Sequence, residues 1–248
     1  MSARLAILVL ALAGLGAAAA AHPPAQLENA PYDGRFTFVR LRFATSMDLS
    51  SFRVGREPWW AHDYPRAERN LMQIVEAITE LRPYMDGGNV LAADDPELFK
   101  YPVAYICEVG YWNPTDAEVE GLRNYLKKGG FLIVDDFRGG HLDNFVTQMQ
   151  RVLPGAELVE LDASHPIFHS FFDIESLELR DMNYWRYEPV WLGIFEDNDP
   201  QKRLLAVINY NNDLGEYWEF SDAGFLPVDL SNEAFKFGVN YIIYAMTH

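Results

Sequence analysis

The sequence predicts an α/β domain with a three-layer, doubly wound, mainly parallel sheet, elaborated by a β-hairpin and loops in its C-terminal half. Three observations predict it. Residues 103–107 and 131–134 are continuous apolar runs, as expected of strands buried on both faces. Helical periodicity alternates with such strands in the order β-α-β-α-β-α-β, the signature of parallel strands joined by crossover helices. The chain has 248 residues and is 49% hydrophobic, enough for one large domain and incompatible with disorder.

Residues 1–21 read as an export signal. Arg4 supplies the positive end, 5–12 the apolar core, and Ala19-Ala20-Ala21 the cleavage site. An uncleaved anchor is the competing reading, at the lower edge of the length that spans a bilayer. Residues 22–35 are rich in Pro and Ala and form a linker, leaving 36–248 as a single domain with no further membrane span. Within 36–43, Val39, Leu41 and Phe43 alternate with Arg40 and Arg42, so the strand has one wet face. Pro65 opens a helix carrying Leu71, Ile74, Val75 and Ile78, which Pro83 stops. Asp63, just ahead of it, reads most simply as the N-cap. Thr115 with Glu118 is a capping box, and its helix ends at Lys127-Lys128-Gly129-Gly130. Leu142, Phe145, Val146 and Met149 mark another helix, closed by Pro154-Gly155, and 158–161 is a short strand. The runs 190–195 and 204–210, joined by 196–200, form a hairpin. A last helix spans 231–246, with Ala234, Phe237, Tyr241 and Ala245 on one face.

Charge and cysteine content exclude several functions. There are 36 acidic against 20 basic residues, a net charge of −16. Loss of the signal removes Arg4 and no acid, leaving −17. A surface of that sign does not bind nucleic acid or anionic membranes. The single cysteine, Cys107, closes no internal disulfide and builds no thiolate metal cage.

In open α/β sheets, ligands bind beyond the carboxyl ends of the strands. Those ends carry Cys107-Glu108 with Trp112 close by, Asp135-Asp136-Phe137-Arg138, and Asp162 with His165. The loop after the first strand carries Trp60, His62 and Asp63.

The runs WWAHDYPRAERNL, YPVAYICEVGYW, LKKGGFLIVDDF, SHPIFHSFFD and YNNDLGEYWE together resemble the motif set of the bacterial family catalogued as domain of unknown function 4159. The resemblance covers Phe36 to the C-terminus. It implies a flavodoxin-like sheet within the class I glutamine amidotransferase-like superfamily. It carries no established activity. The segment LRNYLKKGGFLIV with a later HPI is also similar to the trehalose-utilisation branch of that superfamily. With the signal, it implies export to the periplasm or exterior of a bacterium.

Amidotransferases need a cysteine nucleophile at a sharp strand-to-helix turn with a histidine base. The turn after GGFLIV offers Asp135-Asp136 instead, and Cys107 sits one strand earlier as a buried small hydrophobe. Glutaminase activity is therefore not expected, and no motif requires a cofactor. Asp136 and His165 are the candidates for catalysis or metal ligation, against turn and backbone-bonding roles for the same residues. Trp60, Asp63, Glu108, Trp112, Asp135, Asp136, Arg138 and His165 are the candidates for ligand binding. The aromatics of the irregular segments, among them Tyr184, Trp185 and Trp218, suit stacking on sugars or packing under loops. Two functions stay open. The first is a non-catalytic exported module for a small polar ligand, such as a carbohydrate, or for an envelope protein. The second is a hydrolase of a carbohydrate or envelope substrate that uses a rim Asp or His, with or without a divalent metal.

Overall fold

The computed structural model describes residues 28–45, 58–179, 186–224 and 226–248. The export signal, residues 22–27 of the linker, and Tyr184 and Trp185 lie outside them. Seven strands form one sheet: β1 (Val39–Leu41), β2 (Asn89–Leu91), β3 (Val103–Cys107), β4 (Phe131–Phe137), β5 (Val159–Glu160), β6 (Val190–Phe195) and β7 (Leu204–Tyr210). Their order is β2-β1-β3-β4-β7-β6-β5. All contacts from β2 to β7 are parallel, whereas β6 pairs antiparallel with both β7 and β5. The predicted hairpin is therefore β6–β7, with β7 inserted beside β4 at the centre.

The two faces separate cleanly. Val103, Tyr105, Cys107, Ile133 and Val207 point to a core shared with α1 (Arg66–Ile78), α4 (Leu214–Glu219) and α5 (Val228–Thr247). Ala104, Ile106, Leu132, Val134 and Ile208 point to the other core, under α2 (Asp116–Lys127) and α3 (His141–Val152). This strict period of two, apolar on both sides, is what a doubly covered strand requires. The result is an α/β architecture consistent with a flavodoxin-like three-layer arrangement. The α2 capping box is present, with Thr115 Oγ1 accepting from Glu118 N at 3.2 Å and Thr115 N donating back to Glu118 at 2.8 Å. Gly129, at φ +113, takes the chain out of that helix. Among the described residues, no helix is long and apolar enough to cross a membrane.

Three local readings are corrected. Arg40 is not on a wet face; only 1% of it is exposed, because α1 covers that side and presents Glu68 to it as an ion pair. Asp63 caps nothing: Pro65 stands at the N-cap of α1 without a side-chain cap, and only the backbone oxygen of Asp63 bonds into the helix, to Ala67 N. Asp135 and Asp136 lie within β4 rather than after it, since the strand runs on to Phe137.

Candidate metal centre

β4 carries one extra residue against β7: Val134 pairs with Ile208, but Phe137 pairs with Tyr210. Such a bulge re-aims side chains. Asp136 takes up the excess in a left-handed conformation, φ 54. The two adjacent carboxylates consequently face different surroundings. Asp135 accepts from Tyr105 Oη at 3.0 Å, Asn209 Nδ2 at 3.0 Å and Gly215 N at 2.9 Å. Asn209 accepts in turn from Tyr241 Oη, which accepts from Trp191 Nε1, both at 2.8 Å. This chain ties β4, β6, β7 and α5 together and gives Asp135 a structural role. Burial pushes its carboxyl up to about 6, against the Asn209 hydrogen bond.

Asp136 points instead to the loop after β1. Its Oδ2 lies 2.6 Å from His62 Nδ1. That loop is held from beneath by Arg40, whose guanidinium pairs with Glu68 and donates to the carbonyls of Trp60 (3.1 Å) and His62 (2.7 Å). Asp63, the next residue, is forced into φ 65. Asp63 is 3% exposed; no N–H or hydroxyl among the described residues donates to either carboxylate oxygen, and the carboxyl of Glu219 hydrogen-bonds with it. Oδ1 lies 3.8 Å from His62 Nδ1. Asp213, after β7, caps α4 by accepting from Glu216 N at 2.9 Å. One ligand atom from each of His62, Asp63, Asp136 and Asp213 falls within 4.8 Å of the others. Three of the four residues are buried and His62 is open to solvent. One imidazole with three carboxylates is a donor set for a divalent cation.

A cation binding here displaces a proton, because the imidazole is charged in its absence. The Asp136 hydrogen bond holds the His62 imidazole up to about 10, and the charges of Asp63 and Glu108 add to it. Burial pushes the Asp63 carboxyl well above the usual range; His62 opposes this and Asp136 adds to it. A buried carboxylate costs several kcal/mol unless charge or a proton compensates it, and here the His62 imidazole at 3.8 Å and the hydrogen-bonded Glu219 carboxyl are the compensating groups present.

The other candidates fall in varied places. Glu108 sits at the rim, φ 50, with its N–H donating to Asp136 O at 3.1 Å. Trp60 is half-buried against Tyr64, and Arg138 is exposed at the end of β4. Trp112 is 3% exposed and packs on Phe145. Trp191, Tyr217 and Trp218 are likewise core residues. His165 is not at this site. It caps a short helical turn, accepting from Ile167 N, and its ring packs on Phe195 and Tyr244. Phe195 pairs with the first residue of β7 and Tyr244 packs on the first of β4, so His165 lies by the amino ends of those strands. Cys107 ends β3 fully buried, accepting from Arg40, and burial pushes its thiol well up. Asp213 is the member of this cluster that sequence reasoning missed. The signal for it was the Asn-Asn-Asp run ending a strand, the same rule that found Asp136.

No curated protein matches the chain. The family model described as Domain of unknown function (DUF4159) matches residues 40–246, nearly the whole domain, and the chain belongs to that family.

Proposed function

We propose that the protein is an exported hydrolase that works with a divalent cation held by His62, Asp63, Asp136 and Asp213. The observation that carries the reading is Asp63: a buried carboxylate that no N–H or hydroxyl donor reaches, set among an imidazole and further carboxylates. Gly215 supports it. A Cβ there would stand 2.5 Å from Asp63 Oδ2, so the backbone of α4 leaves that oxygen its space. The position is also the one where open α/β sheets bind ligands, beyond the carboxyl ends of central strands.

A cation at such a site polarises a substrate oxygen and lowers the pKa of a water. The chain's own contribution is to fix the donors. Arg40 pins the loop bearing His62 and Asp63, the bulge aims Asp136, and the α4 cap aims Asp213. The substrate is a polar envelope component, and carbohydrate is the first class to test, because Tyr187 offers an exposed ring against Gly139 at the same end of the sheet. The test has two stages. Elemental analysis and calorimetry should show Mn2+, Mg2+ or Zn2+ bound to the wild type and absent from Asp136→Asn. Turnover of glycosides, esters and amides is then assayed with and without the cation. Binding without turnover would leave the non-catalytic module as the function, and a protein that takes up no cation refutes the reading.

A further inference from the structure

Asp63 belongs to two groups of donors. The first is the set just described. In the second, one ligand atom each from Asp63, Glu216 and Glu219 lies within 4.8 Å of the others. Glu216 and Glu219 stand three residues apart on α4, hence on one face of that helix, and both are half-buried. The two oxygens of Asp63 face different neighbours. Oδ1 is the one 3.8 Å from His62 Nδ1, whereas Oδ2 faces Gly215, the neighbour of Glu216. Both are buried and neither accepts from an N–H or hydroxyl; the Asp63 and Glu219 carboxyls are hydrogen-bonded to each other. Three carboxylates packed this way repel one another unless a proton or a cation lies between them.

We infer that the rim holds two divalent cations, bridged by the Asp63 carboxylate, with Glu216 and Glu219 completing the second position. This rests on the cation site proposed above and extends it. The second donor set is all oxygen, which selects hard cations such as Mn2+ and Mg2+, while the imidazole of the first admits Zn2+ as well. A carboxylate-bridged pair places two cations about 3.5–4 Å apart, the spacing at which both the attacking and the leaving oxygen of a displacement are stabilised.

The experiment uses the full chain, stripped of metal and titrated with Mn2+ alone by calorimetry, with electron paramagnetic resonance on the same samples. The expected result is two ions per chain and a spin-coupled signal at two equivalents. Glu216→Gln/Glu219→Gln should bind one ion, with first-site affinity changed less than about threefold and the coupled signal lost. Asp63→Asn should weaken both sites by tenfold or more. Thermal melting confirms that each variant is folded. Because Glu216→Gln/Glu219→Gln touches α4, the single change Glu219→Gln at its end serves as the second variant, and it should also remove the coupled signal. One ion per wild-type chain, with the glutamate variants indistinguishable from it, overturns the second site and leaves the first standing. No ion at all overturns both.

Discussion

Replacing Arg40 with methionine should be among the most damaging single changes in the domain, and it should act on both stability and site. Arg40 and Glu68 are each about 1% exposed in their side chains, so the change strands a carboxylate in the core. Breaking a buried pair in this way costs about 3–5 kcal/mol. The carbonyls of Trp60 and His62 also lose their donor, although water can reach that partly exposed loop. At about 4 kcal/mol in total, and roughly 2–4 °C per kcal/mol for a domain of this size, Tm should fall by roughly 8–16 °C in differential scanning calorimetry. Removing both charges, as Arg40→Met/Glu68→Leu, should bring Tm back to within a few degrees, because an apolar pair of similar volume replaces an ion pair almost neutrally. Cation affinity should not return in that double variant. The loop that presents His62 and Asp63 is still untethered, and binding should stay tenfold or more weaker than in the wild type. A single variant melting within 2 °C of the wild type, or a double variant no better than the single, would refute the reasoning about the pair. Full-strength binding in the double variant would refute the tether.

Three further outcomes are expected. Gly215→Ala puts a Cβ 2.5 Å from Asp63 Oδ2 and 3.0 Å from Tyr105 Oη, so calorimetry should show Mn2+ binding about tenfold weaker. Chelation should lower Tm, because an ion present at a hundred times its Kd adds about 2.7 kcal/mol to stability, and a chelator without effect on melting would contradict the site. Cys107→Ala should leave turnover and cation binding unchanged at a cost of about 1 kcal/mol, and iodoacetamide should label the wild-type thiol only after unfolding. Rapid labelling of the native protein would show the thiol to be reachable.

What was legible in the sequence was what is locally determined. The strand Val103–Cys107 and the helix Asp116–Lys127 announce themselves through an unbroken apolar run and a capping box, signals that need no knowledge of the rest of the chain. Arg40 reads as solvent-facing because its partner, Glu68, lies 28 residues away on a helix whose packing side the strand cannot reveal. Three of the four clustered residues followed from the strand-end rule, which marked His62, Asp63 and Asp136. The rest depended on sheet order. The rule also picked His165, but the strand before it, β5, is at the edge, three places from β4. Asp213 follows β7, which lies directly beside β4, and nothing in the linear sequence states that adjacency. The bulge that separates the roles of Asp135 and Asp136 is equally non-local, being a mismatch of register between β4 and β7.

That separation makes the neighbouring aspartates a sharp test, since the same chemical change should act differently at the two positions. Asp135 is ringed by three donors: a hydroxyl, an amide and a backbone N–H. An asparagine there turns an NH2 against at least one of them, leaving buried donors unpaired at about 1–3 kcal/mol, so Asp135→Asn should melt several degrees lower. Asp136 faces an imidazole and other carboxylates. Asparagine tolerates its φ of 54, its amide oxygen can accept from His62 Nδ1, and it removes one negative charge from a crowded group. The relief of repulsion offsets the weakened hydrogen bond to the charged His62, so Asp136→Asn should melt close to the metal-free wild type while failing to bind the cation. Residues that fold a protein lose stability when changed, whereas residues that serve a site against the interests of the fold lose function and leave stability intact or improved. Two variants destabilised to the same degree would mean that Asp136 is a structural residue and that the carboxylate cluster has no function.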